Sequence, residues 1–215
     1  MSKNGSIVFV VDDDPAMRMS LESLLQSVGH TVAAFETARD FRMAPRPDLP
    51  SCLVLDVRLP GQSGLEFQRE IGRTASPPPI VFITGHGDVP MSVAAMKAGA
   101  VEFLTKPFRD QDLIDGVHRA IELDRRRRAK AAMLAELRER VSTMTPRERE
   151  ILPLVAAGRM NKQIAQALQL SEVTVKVHRA QVMQKLKANS VADLVRIADR
   201  LAAIEPEAKT DGTSI

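Results

Sequence analysis

Four sets of side chains suited to phosphoryl chemistry fall at the ends of short apolar runs: Asp12-Asp13-Asp14 after Ile7 to Val11, Asp56 after Cys52 to Leu55, Thr84 closing Ile80 to Thr84, and Lys106 just past Val101 to Leu104. If the runs are strands of an open parallel sheet, these residues converge in the crevice at the carboxyl ends of the strands, where such sheets bind ligands. Three carboxylates in one crevice repel each other unless a hard cation joins them, and Mg²⁺ takes oxygen ligands. A carboxylate beside bound Mg²⁺ is a nucleophile for phosphoryl transfer, with metal and ammonium neutralising the transferred charge. For the aspartate triplet alone, a turn that caps the next helix is an equal reading. The joint placement of the aspartates with Thr84 and Lys106 favours the pocket.

The elements that must position these groups are legible in the apolar pattern. Besides the four runs, His30 to Phe35 reads as a fifth buried strand. Met17, Leu21, Leu24, Leu25 and Val28 recur at helical spacing, with Asp14 as N-cap, Pro15 in the first turn and Gly29 past the end. Val89 to Ala98 repeats that design and closes at Gly99. The series predicts an α/β fold, a doubly wound five-stranded parallel sheet covered by helices on both faces. From Asp112 the pattern is helical through Leu113, Val117, Ile121, Leu134, Leu137 and Val141, and Arg125 to Arg128 read as the solvated face of this helix. Thr145-Pro146-Arg147-Glu148 is a capping box that opens a new all-α unit, with further helix starts at Asn161, Ser171 and Ser190. The expected organisation is 1–120 for the sheet domain, 121–142 for a helical linker, 143–204 for a four-helix domain and 205–215 for a disordered tail.

Composition bounds the function classes. The chain has 215 residues, 44% of them hydrophobic, enough for two cores. Its net charge of +3 hides an asymmetry: residues 1–123 hold 12 Lys and Arg against 16 Asp and Glu, net −4, and the remainder holds 18 against 11, net +7. The basic half suits a polyanion. No stretch approaches the ~20 consecutive apolar residues of a membrane span, and Met1 to Val11 lacks the regions of a signal peptide, so a cytoplasmic location with no membrane contact is expected. The single cysteine, Cys52, lies in an apolar run and reads as a buried, inert thiol.

Val11-Asp12-Asp13-Asp14, Leu55-Asp56-Val57-Arg58-Leu59-Pro60-Gly61, Thr84-Gly85-His86-Gly87-Asp88 and Lys106-Pro107-Phe108 together resemble, in order, the motifs of response-regulator receiver domains. The resemblance covers the first ~120 residues and implies a flavodoxin-like fold. It implies that Asp56 accepts a phosphoryl group from the histidine of a cognate sensor kinase. It implies Mg²⁺ held by Asp13, Asp56 and the main-chain carbonyl of Arg58, with Asp12 assisting. Thr84 and Lys106 would contact the phosphoryl, Phe103 would be the aromatic that follows Thr84 on activation, and the Lys106-Pro107 bond would be cis. His86 reads as a loop residue. Thr84 to Met91 is similar to the FixJ group, in which phosphorylation promotes a homodimer through the fourth helix and fifth strand of the sheet, here about Val89 to Leu104.

Asn161 to Leu168, a short break and Glu172 to Lys187 have the order of a helix-turn-helix, whose second helix enters the major groove. At 100° per residue, Val175, Val182 and Leu186 share one arc with His178 nearby, so that arc is the core face. The opposite arc holds Val177, Ala180 and Gln184, flanked by Lys176 and Gln181. Lys176 and Gln181 or Gln184 are therefore expected at base edges, and Val177 at a thymine methyl. Lys162, Arg179, Lys185 and Lys187 are placed for phosphates. A helical packing or dimerisation domain is the competing reading. Thr145 to Glu150, Asn161-Lys162-Gln163-Ile164-Ala165 and Val173-Thr174-Val175-Lys176-Val177-His178-Arg179 resemble the LuxR-type helix-turn-helix of NarL and FixJ regulators. That resemblance implies that Asn161 and Thr174 also belong to the DNA-binding set, that promoter DNA and RNA polymerase are partners, and that Ser190 to Leu201 serves dimer contact. Gln169 departs from it, standing where many such turns carry glycine.

The joint expectation is a transcription regulator switched by phosphorylation, an activator by its resemblance to the FixJ group, and not an enzyme. A phosphatase of the haloacid-dehalogenase kind also forms an aspartyl phosphate, but its chemistry wants a second acid two residues on, where this chain has Arg58. A DNA-binding protein whose pocket is never phosphorylated is a third reading, and the intact set of Asp13, Asp56, Thr84 and Lys106 argues against it.

Overall fold

The computed structural model describes residues 5–74 and 76–208. They form two compact units, Met1–Lys130 and Ala131–Ile215. In the first, β1 (Ile7–Val11), β2 (Thr31–Phe35), β3 (Ser51–Asp56), β6 (Ile80–Thr84) and β7 (Glu102–Thr105) form one parallel sheet of order β2-β1-β3-β6-β7. Two-residue strands β4 (Arg58–Leu59) and β5 (Gln62–Ser63) pair as a small antiparallel hairpin beside it. β1, β3 and β6 are buried throughout, as interior strands of a sheet covered on both faces must be.

Five helices cover the sheet: α1 (Pro15–Ser27), α2 (Ala38–Met43), α3 (Gly64–Ile71), α4 (Val89–Lys97) and the start of α5 (Asp110–Ser142). Alternate strand residues feed two cores. Phe9, Val11, Leu53, Leu55 and Phe82 pack with Phe41 and Phe67, whereas Val8, Val10, Val54, Val81 and Ile83 pack with Leu21, Leu25, Leu113 and Val117. Asp14 caps α1 and accepts from the Ala16 amide at 2.9 Å, with Pro15 in the first turn. Gly29 and Gly99 follow α1 and α4 at positive φ, 88° and 91°, which glycine adopts without steric cost. Cys52 is fully buried, and burial holds its thiol far above the usual range.

α5 runs without a break through the expected boundary at 120 and ends at Ser142, so the strand-covering helix and the linker are one element. Its Asp124 is 1% exposed and accepts from the Ser51 amide at 2.9 Å, from the Ser51 hydroxyl at 3.3 Å and from Arg128 Nε at 2.8 Å. This ties α5 to the first residue of β3. The Arg-rich run accordingly divides: Arg126 and Arg127 are exposed, as a solvated face requires, while Arg128 turns inward to Asp124 and also pairs with Asp48.

The second unit holds the last turns of α5 with α6 (Pro146–Ala156), α7 (Asn161–Leu168), α8 (Glu172–Lys185) and α9 (Val191–Ala208). Its core is Leu137, Met144, Ile151, Val155, Ile164, Val175, Val182, Leu186 and Leu194. α6 starts at the expected capping box, with the Thr145 hydroxyl accepting from the Glu148 amide at 3.3 Å and Glu148 from the Thr145 amide at 2.7 Å. Glu148 is 1% exposed and also binds Lys185 Nζ at 2.6 Å. Backbone in α9 is helical through Ala208, so 205–208 of the expected tail is helix, and 209–215 lie outside the described residues.

Two outcomes follow from these buried acids. Asp124→Ala leaves the Ser51 amide and the Arg128 Nε without their acceptor, and the urea unfolding transition of the sheet unit should lose roughly 2 kcal/mol, with Asp124→Asn losing less. Burial opposes the Glu148 charge, but hydrogen bonds from Lys185 and Thr145 outweigh it and hold the carboxyl below its ordinary 4.5. A depressed folded-state value gives stability that is present above the unfolded value and lost as pH falls through the folded one. Unfolding of the helical unit followed downward from neutral pH should show this acid loss, and Glu148→Gln should flatten it.

Candidate phosphoryl-transfer pocket and nucleic-acid interface

Strand register brings the first set of residues together. Val11 pairs with Leu55, Asp56 with Ile83 and Thr84 with Thr105, so Asp12 and Asp56 are level, with Thr84 one residue and Lys106 two residues further on along the next two parallel strands. Lys106 Nζ donates to Asp12 Oδ2 at 2.7 Å and to Asp56 Oδ2 at 2.9 Å. Its amide donates to the Thr84 carbonyl at 2.7 Å, and the Lys106-Pro107 bond is cis. Carboxylate oxygens of Asp12, Asp13 and Asp56 lie within 4.8 Å of one another, Asp12 and Asp56 buried and Asp13 exposed. Arg58 presents its amide to Asp56 Oδ1 at 3.1 Å, with its side chain in solvent.

Burial raises the Asp12 carboxyl above its ordinary value, partly offset by the hydrogen bond and charge of Lys106. Burial works against the Lys106 ammonium, but its hydrogen bonds to Asp12 and Asp56, and their charges, hold its pKa above the ordinary value. One cation thus faces three carboxylates, and an all-oxygen donor set with excess negative charge fits a hard divalent ion.

Two residues outside the sequence-derived set shape this pocket. Arg18 Nη1 donates to the Asp12 carbonyl at 2.7 Å, and its other terminal nitrogen lies 3.9 Å from Glu36. A Cβ on Gly64 would stand 2.4 Å from the Asp56 carbonyl oxygen, and its amide donates to the Val57 carbonyl at 2.8 Å. Arg18 carries no sequence signal beyond its place on α1. Gly64, at the start of α3 where glycine is a poor helix former, was the detectable one.

Thr84 is fully buried, and its hydroxyl accepts from the His86 amide at 3.3 Å, with the His86 side chain exposed in the loop. Phe103 is partly buried, its ring 6.1 Å from that of Phe82. α4 buries little surface: Ala95 is its buried residue, Gln68 of α3 donates to the Ala95 and Ala98 carbonyls at 3.2 Å, and Val89, Val93 and Met96 are 74%, 44% and 45% exposed. The face expected about Val89 to Leu104 is therefore apolar and open.

The second set falls on α7 and α8. Val175, Val182 and Leu186 are fully buried, while Lys176, Val177, Ala180, Gln181 and Gln184 form an exposed stripe. Val173 extends that stripe at 74% exposure, one turn before Val177, and periodicity carried to the start of the helix was the signal for it. Gln169 takes the left-handed conformation expected of the turn, at φ 54° and ψ 47°. Thr174 is bound up in the N-cap with Ser171, and Arg179 donates to Asn161 Oδ1 at 2.8 Å, tying α8 to the start of α7. Lys162 is exposed, and Lys187 lies 4.0 Å from Glu136. Lys185, expected at a phosphate, is partly exposed and engaged within the unit. Its ammonium donates to Glu148 and, at 2.9 Å, to the Thr143 carbonyl, because the last turn of α8 leans on the start of α6. Among the described residues no helix is long and apolar enough to cross a membrane.

The family "Response regulator receiver domain" matches residues 8–118, and "Bacterial regulatory proteins, luxR family" matches residues 142–198. Nodulation protein W of Bradyrhizobium diazoefficiens is 54% identical, over 91% of this chain and 86% of its own length. Transcriptional regulatory protein FixJ of Rhizobium meliloti is 44% identical, over 89% and 94%. Among solved structures, response regulator StyR covers 91% of this chain and 99% of its own at 47% identity and a TM-score of 0.83. Full-length FixJ from B. japonicum covers 95% and 100% at 41% identity and a TM-score of 0.57. The family is one of transcriptional regulators rather than enzymes. With an acidic pocket at the strand ends and an exposed helix-turn-helix stripe on one chain, this protein belongs to the two-component response regulators of the FixJ/NarL type, transcriptional regulators that join a receiver domain to a LuxR-type DNA-binding domain.

Proposed function

We propose that Asp56 is the phosphoacceptor, and that its phosphorylation by a cognate sensor histidine kinase drives homodimerisation and promoter binding. The observation that carries this reading is the Lys106 ammonium bridging Asp12 and Asp56 at 2.7 and 2.9 Å beside three clustered carboxylates. A carboxylate oxygen of Asp56 attacks the phosphorus of the kinase phosphohistidine, the P–O bond forms as the P–N bond breaks, and the imidazole leaves. Bound Mg²⁺ supplies charge neutralisation at the phosphoryl oxygens. Asp12, Asp13, Asp56 and the Arg58 carbonyl are its proposed ligands. Lys106 exchanges part of its contact with Asp56 for a phosphoryl oxygen, and the Thr84 hydroxyl turns to another, drawing Phe103 after it.

The proposed dimer face is α4 with β7, where exposed Val89, Val93 and Met96 gain burial on association. The α8 stripe reads the major groove through Lys176, Gln181 and Gln184, with Val173 and Val177 against thymine methyls. Lys162 and Lys187 meet phosphates; Asn161, Thr174 and Arg179 hold the reading helix in place and present their remaining donors to the backbone. Lys185 is assigned to the fold. Cytoplasmic action on promoter DNA as an activator, through contact with RNA polymerase, completes the reading and is supported by the resemblance to FixJ-type regulators.

With Mg²⁺ and beryllofluoride, light scattering should show the dimer fraction rise for the wild type and stay flat for Asp56→Asn; a monomer unaffected by either, or equal dimerisation of the variant, refutes the switch. On DNA, Lys176→Ala should cost about 1–3 kcal/mol at the preferred site and relax sequence preference. Lys162→Ala should weaken all sequences alike and lower the salt slope by about 1. Unchanged sequence selectivity in Lys176→Ala would contradict the assigned reading face.

A further inference from the structure

The loop between β6 and α4 is pinned at both ends. The buried Thr84 hydroxyl holds the His86 amide at 3.3 Å, and the Asp88 carboxylate caps α4 by accepting from the Met91 amide at 2.7 Å. Between them the chain passes Gly85 and Gly87, which meet opposite conditions. A Cβ on Gly85 would find nothing within 4 Å. A Cβ on Gly87 would stand 2.8 Å from Thr105 Cγ2, 2.9 Å from Phe103 Cε1 and 3.1 Å from Thr84 Cγ2. Neither glycine is among those at positive φ, so the demand at 87 is for space rather than for a special backbone conformation. Native side chains pack near crystal density, and contacts that short force displacement. Of the three neighbours, Thr84 is fully buried and, being β-branched, stiff at χ1, whereas Phe103 is partly buried and Thr105 exposed, so a methyl group at 87 is met by displacement of the Phe103 ring edge together with Thr105.

We propose that Gly87 is a positioning residue of the switch, its bare α-carbon keeping the Thr84 methyl and the Phe103 ring edge on one common seat so that movement of either is felt by the other and, through Asp88, by α4. The inference rests on the reading of Asp56 as phosphoacceptor and Phe103 as its responding aromatic. Gly87→Ala fills the seat. The ring is displaced before any phosphoryl arrives, and the pocket's state no longer reaches it.

The test compares full-length wild type, Gly87→Ala and Gly85→Ala, with Mg²⁺ and beryllofluoride as the probe. Fluorine NMR reads bound beryllofluoride, ring resonances read Phe103, and light scattering reads dimerisation. All three proteins should bind beryllofluoride. Wild type and Gly85→Ala should show the Phe103 shift and the dimer, while in Gly87→Ala the resting ring resonance is already moved and the beryllofluoride-induced tightening of dimerisation falls at least tenfold. Adding Thr105→Ser to Gly87→Ala removes the nearest contact and should recover part of the response, which a general loss of folding would not allow. A full response in Gly87→Ala, or an equal loss in Gly85→Ala, overturns the proposal. A wild type that binds beryllofluoride and shifts Phe103 without dimerising refutes the proposed dimer switch but supports the local coupling; one that binds none removes both.

Discussion

The receiver unit depends on the need to hold three carboxylates together against their mutual repulsion. Lys106 supplies one positive charge to Asp12 and Asp56, and it does so from the far side of the sheet, past the end of β7. Strand order β1-β3-β6-β7 and the pairings Val11 with Leu55, Asp56 with Ile83 and Thr84 with Thr105 set that reach. A slip of one residue in any pairing would turn the next side chain to the opposite face. The apolar strands therefore bury a core and also fix charges at a separation where one ammonium bridges two acids and leaves the group acidic enough for a divalent ion.

On the proposed reading, the same register gives a change at Asp56 a route to a distant face. Thr84 and Phe103 stand on neighbouring strands, and the loop that leaves Thr84 caps α4 through Asp88. α4 is held by little buried surface, so a small free-energy change at the pocket is enough to bias its position. Tight packing lies on the strand side, where Gly64 and Gly87 leave no room for a methyl group, and looseness lies on the helix side. A switch needs that division, because an interior packed without slack passes displacement on, while a helix that buries little surface absorbs it.

In the helical unit, charge has two uses that composition cannot separate. Partly exposed Lys185 pairs with buried Glu148, and Arg179 with Asn161 joins α7 to α8. Lys162 and Lys176 stand in solvent on the outer face. Arg128 and Arg126 divide in the same way on α5. Lys185 read as a phosphate contact because a lysine on a recognition helix has the same helical phase whether it meets DNA or a neighbouring helix. The approach of α6, which brings Glu148 under the last turn of α8, gives this lysine a partner within the fold.

Much was legible from local pattern. The five parallel strands, the Asp14 and Thr145 caps and the buried arc of Val175, Val182 and Leu186 follow from periodicity and capping chemistry, which act over a few residues and are written in the order of the chain. The convergence of Asp12, Asp56, Thr84 and Lys106 was also readable, because parallel strands place their carboxyl ends together. The contacts of Arg18 with the Asp12 carbonyl, Asp124 with Ser51, Lys185 with Glu148, and the crowding at Gly87 were not. Asp124 with Ser51 and Lys185 with Glu148 depend on the distance between elements far apart in the chain, and even Arg18 with Asp12, six residues apart, depends on how a helix packs against a strand end; the order of residues therefore sets which groups face the sites, and packing sets which are already spent on holding them.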